Sequence, residues 1–179
     1  TYLYEGTGSA QTITNGIDLD GEGGLVWLSA RDHTDNFKMV WDTTMSPYNN
    51  MYTDNTTILT AQGTGYGISS ATSTGFSIGN TSWYVLNASG VNYASWTFRK
   101  APRFFDVVTW TGNGNSTRHI SHDLGIAPGF IIVKRTDSAD SWYCYHRGIT
   151  DASGMYLVLN NTDAADGNSS SDYWTPTDT

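Results

Sequence analysis

Few side chains in this 179-residue sequence are of the kinds that carry chemistry. Its only glutamates are Glu5 and Glu22. A glycosidase needs two carboxyl groups about 5 to 10 Å apart across one sugar bond, and neither glutamate has a second carboxylate set beside it on a shared strand face; Glu22 falls in a Gly-rich turn. Asp18, Asp20 and Glu22 alternate beside Gly21, so they are the candidate ligands for Ca²⁺, a cation that takes hard oxygen donors. The alternative is a solvated acidic turn entering a strand, because the full spacing of a calcium loop is missing. His119 and His122 are three apart on an expected strand, which sends them to opposite faces and prevents them from chelating one ion. Ser121, His122 and Asp123 are chain neighbours, and adjacent residues cannot form a nucleophile relay. Trp83, Tyr84, Trp110, Tyr173 and Trp174 flank turns rich in Asn, Asp and Gly, where an aromatic ring can stack on a sugar face. Core or interface packing is the competing role for each of them. Six Asn-x-Ser/Thr sequons, at Asn55, Asn80, Asn87, Asn115, Asn160 and Asn168, follow from the abundance of those residue types.

These residues must be positioned by a chain whose composition favours sheets. Charged residues make up 15% and aromatic residues 13%, with 19 Gly and only three Lys, against a usual charged share of about 25%. Thr, Ser, Asn and Gly dominate, and the strong helix formers are scarce, so an all-β fold is expected. The net charge of -8 offers no cationic field to hold phosphates, which excludes nucleic acid as a partner. No apolar run approaches the roughly 20 residues of a spanning helix, so membrane insertion is not expected. The lone Cys144 rules out an intrachain disulfide scaffold. The chain starts at Thr1 with neither an initiator Met nor a signal-peptide pattern, which suggests a segment of something longer.

The sequence repeats itself at domain length. Tyr4-Glu5-Gly6-Thr7-Gly8 falls on Trp110-Thr111-Gly112-Asn113-Gly114, an offset of 106. Gly24-Leu25-Val26-Trp27-Leu28 falls on Gly129-Phe130-Ile131-Ile132-Val133 at an offset of 105, and at the same offset Phe37, Met39 and Trp41 fall on Trp142, Cys144 and His146. A period this long marks tandem globular domains rather than solenoid units. Two β-sandwich repeats are therefore expected, over 1–101 and 102–179, joined at Arg99-Lys100-Ala101-Pro102-Arg103. The second is truncated, since the counterparts of residues 71–98 would lie past Thr179. A sandwich without its closing strands exposes apolar face and unpaired edge, so a longer parent chain or a partner is expected to cover it.

Within each repeat the side chains alternate with period two. Phe37, Met39 and Trp41 share one face of a strand over 36–42, and Trp142, Cys144 and His146 share one face over 141–147. Cys144, aligned with Met39, reads as an apolar filler. The continuous apolar runs 24–30 and 130–135 are expected to be central strands covered on both faces. Further strands are expected at 11–14, 51–54, 75–78, 93–99, 104–110, 118–122 and 155–159, joined by tight turns into a two-sheet sandwich or jelly roll.

The Trp-Thr-Gly-Asn-Gly opening at 110–114, the stretch from Ile120 to Arg135, the Trp-Tyr-Cys-Tyr-His-Arg strand at 142–147 and the segment Ala94 to Pro102 together resemble tandem repeats in virion structural and tail-fibre-like proteins of marine bacteriophages. The resemblance covers essentially the whole chain and implies a concanavalin A-like or laminin-G-like sandwich on the virion surface. It brings no catalytic residues. Concanavalin-like glucanases place Glu, Asp and Glu on alternate positions of one strand, and neither Glu5 nor Glu22 stands in such a run. The expected protein is a non-enzymatic virion surface component, of fibre or decoration type. Its expected partners are other virion proteins, further copies of itself and host-surface glycans, reached through Trp83, Tyr84, Tyr173 and Trp174. No cofactor is implied apart from the candidate Ca²⁺ on Asp18, Asp20 and Glu22. The competing readings are a purely architectural module and a secreted bacterial adhesin or carbohydrate-binding module.

Overall fold

Alternating side chains and turn-forming Gly, Asn and Asp residues organise the chain into strands alone. The computed structural model describes residues 1–34, 37–80, 82–115, 117–149, 152–167 and 173–178. In chain order the strands are β1 (Tyr2–Glu5), β2 (Gln11–Thr14), β3 (Gly24–Ala30), β4 (Lys38–Asp42), β5 (Asn49–Tyr52), β6 (Thr60–Ala61), β7 (Ile68–Thr72), β8 (Gly75–Ile78), β9 (Asn92–Arg99), β10 (Phe130–Lys134), β11 (Trp142–His146), β12 (Met155–Val158) and β13 (Asp166–Gly167). The protein is all-β, and among the described residues no helix is long and apolar enough to cross a membrane.

The strands of residues 2–99 form an antiparallel sandwich. A six-stranded sheet in the order β1-β9-β3-β4-β5-β6 packs against a three-stranded sheet, β2-β8-β7. Between them lies one apolar core, in which Val26 and Leu28 of β3 and Met39 and Trp41 of β4 meet Ile13 of β2, Ile68 of β7 and Phe76 and Ile78 of β8. Burying each of these side chains is worth about 1.5 to 3 kcal/mol, enough for a Leu-poor chain to hold a core. β3 is central, flanked by β9 and β4, as its apolar run predicts. Val40 is also buried, on the other face of β4.

The second half builds only part of this plan. β10 to β13 form a separate four-stranded antiparallel sheet. β12 and β13 begin 106 residues after β5 and β6, and β10 matches β3 at an offset of 105. The register corrects one equivalence. Trp27 faces Val40, and Ile132, 105 residues after Trp27, faces Cys144, so Cys144 occupies the place of Val40 rather than of Met39. A one-residue slip of β11 has exchanged its faces. Trp142 and Cys144 consequently lie on the face corresponding to the outside of the first sandwich, and Trp142 joins Val40 and Met51 in a second buried cluster between the halves.

Three further expectations fail for one reason. Residues 104–110 and 118–122 are not strands, and β10 is an edge strand rather than a central one. In the first half β1 pairs only with β9, and β2 only with β8. Among the described residues the second half has no counterpart of β8 or β9, so those stretches have no ladder to satisfy their backbone groups. The strand expected over 36–42 begins at Lys38, and Asn36 lies outside the described residues.

The junction is pinned rather than loose. Ala101 bridges to Phe105, the Arg103 N–H donates to the Leu124 carbonyl at 2.8 Å, and the Lys100 ammonium contacts the Asp106 carboxylate at 2.8 Å. Arg103 takes a positive φ of 62°, an uncommon conformation for a residue other than Gly.

Candidate functional site

One end of the sandwich gathers aromatic rings from three connections and the end of one strand. His33 and Phe37 come from the β3–β4 connection, Tyr52 from the end of β5, Tyr66 from the approach to β7, and Trp83 and Tyr84 from the β8–β9 connection. The rings form an unbroken row. Tyr66 meets Trp83 at 6.4 Å between centroids, Trp83 meets Tyr52 at 6.5 Å, Tyr52 meets Phe37 at 5.3 Å, Phe37 meets Tyr84 at 6.2 Å, and Tyr84 stacks on His33 at 5.1 Å with 13° between planes. Tyr52, Trp83 and Tyr84 root the row in the core, while Phe37 is 37% and Tyr66 50% exposed.

Local hydrogen bonds fix the segment that carries Trp83 and Tyr84. The Tyr93 hydroxyl donates to the Tyr84 carbonyl at 2.7 Å and accepts from the Ala88 N–H at 2.9 Å, and the Tyr4 hydroxyl donates to the Leu86 carbonyl at 2.8 Å. Asn87, one of the sequon asparagines, is fully buried: its Oδ1 accepts from the Thr7 N–H and the Gln11 amide, and its Nδ2 donates to the Ser9 carbonyl. Beside His33, the exposed Asp32 carboxylate accepts from the side-chain amide and the backbone N–H of Asn92, at 2.6 and 2.9 Å. Those bonds, the side-chain one foremost, hold its carboxyl below the ordinary carboxylate range and keep it ionised at neutral pH. Rings with exposed edges beside a fixed anionic acceptor can bind a polar, ring-shaped ligand by stacking and hydrogen bonding.

Tyr173 and Trp174 do not belong to this row. The Trp174 ring lies 5.9 Å from Tyr145 and the backbone N–H of Trp174 donates to the Ser153 carbonyl, while Tyr173 meets Tyr156 edge-on at 5.8 Å, all within the second half. The Trp174 ring packs on Tyr145 of β11. Sequence reasoning missed His33, Phe37, Tyr52 and Tyr66 as site residues, because only the closed sandwich brings three distant connections and the end of β5 together. Trp110 is exposed and outside both groups.

The acidic turn serves the fold. The Gly21 N–H donates to Asp18 Oδ1 at 2.8 Å, closing the turn, and Leu19, between the two aspartates, plugs the core. Asp20 and Glu22 point to solvent, Glu22 at the rim of a shallow cavity shared with Lys100, Asp106 and Asp123. Among the described residues no three His, Cys, Asp or Glu side chains stand close enough to hold a metal. Glu5 pairs with Asn92 at one end of β9, and Glu22 lies near Gly24, which pairs with Arg99 at the other end. Seven residue steps along β9 separate the two ends by roughly 23 Å, too far to flank one glycosidic bond. His122 Nδ1 accepts from the Leu124 N–H, so its Nε2 donates to the Thr177 carbonyl at 3.0 Å, while His119 is exposed. Burial pushes the Cys144 thiol up to about 11, far from a reactive thiolate.

A family model described as Domain of unknown function (DUF7483) matches residues 1–179. No curated protein and no solved structure matches the chain.

Proposed function

The chain belongs to the DUF7483 family; we propose that it is a non-enzymatic structural module of a virion surface that contacts host-surface glycans through the aromatic row. The observation that carries this reading is the continuous series Tyr66, Trp83, Tyr52, Phe37, Tyr84 and His33, rooted in the core and open at Phe37 and Tyr66. The virion placement rests on the resemblance of the 94–102, 110–114, 120–135 and 142–147 segments to phage repeats. Each contact is shallow and individually weak, with affinity expected near about 1 mM, and display of many copies on one particle supplies avidity.

A glycan array followed by titration tests the reading. Reproducible binding that disappears in Trp83→Ala and Phe37→Ala, and survives in Tyr173→Ala, supports it, provided thermal melts show each variant folded. Absence of binding to every neutral or acidic glycan, or equal loss in Tyr173→Ala, removes the aromatic row as the site. A purely architectural module is the second reading, favoured by the buried Trp142 contact between the halves. That module would bind no glycan and would copurify with a shell or tube protein in fixed stoichiometry.

A further inference from the structure

β10 ends its sheet with one side unpaired among the described residues, and β3, its counterpart in the first half, has β9 on that side. The backbone directions match. The Thr43 N–H donates to the Gly24 carbonyl and the Arg147 N–H to the Gly129 carbonyl, each at 3.0 Å, which places Gly24 and Gly129 in equivalent hydrogen-bonded pairs. Antiparallel partners alternate between bonded and non-bonded pairs, so Leu25, Trp27 and Ser29 turn their N–H and C=O groups toward β9. Bonds from Lys100 to Gly23 and from Arg31 to Asn92 continue that odd-numbered set. By the same rule Phe130, Ile132 and Lys134 direct theirs to the open edge.

The side chains tell the same story. Phe98 stands across from Leu25, and Trp96 across from Trp27. Phe130 and Ile132, at the places of Leu25 and Trp27, have no such neighbour and are 53% and 37% exposed. Gly24 is a close-approach position, since a Cβ there would fall well inside 3.0 Å of the Phe98 carbonyl of β9. At Gly129 the atoms nearest the matching position belong to the guanidinium of Arg147, the far end of a flexible side chain that can swing away. The second half thus keeps the glycine, the open backbone edge and the apolar partners of a strand that lies beside β3 in the first.

We propose that the free edge of β10 accepts one antiparallel strand of the Tyr93–Arg99 pattern, supplied by a further copy of this repeat. In that pairing the residue at the place of Phe98 lies across from Phe130, that of Trp96 across from Ile132, and that of Ala94 across from Lys134. Main-chain bonds give such strand addition its affinity, and the aromatic side chains set its register. Charge agrees: Arg99 and Lys100 make this segment basic and it has no acidic residue, whereas the whole chain carries -8.

The test adds a synthetic peptide of residues 91–100 to the full chain, read by titration calorimetry and by amide hydrogen exchange. The expected result is saturable one-to-one binding that slows exchange at Phe130, Ile132 and Lys134. A peptide N-methylated at Ala94, Trp96 and Phe98 should bind at least about tenfold more weakly, while one N-methylated at Ser95 and Thr97 should bind within about twofold of the parent. No saturation up to about 1 mM overturns the proposal. Equal binding of the two methylated peptides, which would mean non-specific apolar contact, overturns it too. So does finding that the chain alone dimerises with the β10 amides already protected, because a second copy's own edge would then be the occupant.

Discussion

The indole N–H of Trp142 donates to the backbone carbonyl of Tyr52 at 2.8 Å. This single bond joins the second sheet to the strand whose terminal side chain sits in the aromatic row. Trp142 is 5% exposed, packed with Val40 and Met51, while the Tyr52 ring lies between Phe37 and Trp83. Docking of the halves and alignment of the rings therefore share β5. Trp142→Ala should cost about 3 to 5 kcal/mol in urea unfolding. Trp142→Phe, which keeps most of the apolar contact and loses the bond, should cost about 1 to 2 kcal/mol. Both should weaken glycan binding in proportion to their effect on β5, measured as exchange of the Met51 and Tyr52 amides.

Two aligned glycines should respond unequally to the same substitution. Gly24→Ala drives a methyl into the Phe98 carbonyl and toward Leu19, groups fixed by the sheet and the core. It should cost at least about 2 kcal/mol. Gly129→Ala meets first the movable Arg147 guanidinium and should stay within about 1 kcal/mol of the parent in the isolated chain. Comparable losses in the two variants would contradict the structural asymmetry between the halves.

The period-two alternation and the 105-residue repeat made the all-β class and the central place of β3 readable from the residues themselves. The class is carried by composition and period-two alternation, and the place of β3 by its continuous apolar run, a signal that in β10 meets an edge instead. What escaped depended on partners. Residues 104–110 have strand-like composition yet form no strand, because a strand exists only when another lies beside it. β7, over Ile68–Thr72, is mostly Ser and Thr and is held as a strand by its pairing with β8. The one-residue slip that sends Cys144 to the place of Val40 is invisible in an overlay of sequences, where a cysteine aligns as readily with Met39 as with Val40, both of them apolar. For the site, the Trp83-Tyr84 pair was visible as aromatics beside a turn. Phe37 resembled another core residue of β4, and Tyr66 sat unnoticed in a Gly-rich loop.

The junction should fail on acidification through Asp106. Burial raises the carboxyl's pKa, but the Asp123 N–H at 2.9 Å and the Lys100 ammonium at 2.8 Å outweigh it and leave the net value depressed. A carboxyl depressed in the folded state stabilises the fold above its unfolded pKa of about 3.9 and loses that contribution as pH falls through the lower folded value. Asp106→Asn should therefore cost about 1 to 2 kcal/mol at pH 7. The deficit against the parent should narrow below about pH 4 as the parent's own carboxyl protonates. A difference independent of pH would show that packing, rather than charge, sets the role of Asp106.

Tyr93 offers the sharpest separation of scaffold from site. It lies wholly inside the fold, stacks on Tyr4 at 5.1 Å and satisfies the Tyr84 carbonyl and the Ala88 N–H through one oxygen. Tyr93→Phe removes that oxygen and leaves both backbone groups without it, at a cost of about 1 to 3 kcal/mol. The ring stack remains, so the sandwich should stay folded while the 83–88 segment loosens. Any glycan affinity that depends on Trp83 and Tyr84 should drop with it, although Tyr93 touches no ligand. Tyr2→Phe, at an exposed hydroxyl on β1, should change neither stability nor affinity. If Tyr93→Phe lowered the melting temperature but left glycan titrations unchanged, the ordered 83–88 segment would not be what presents the binding surface.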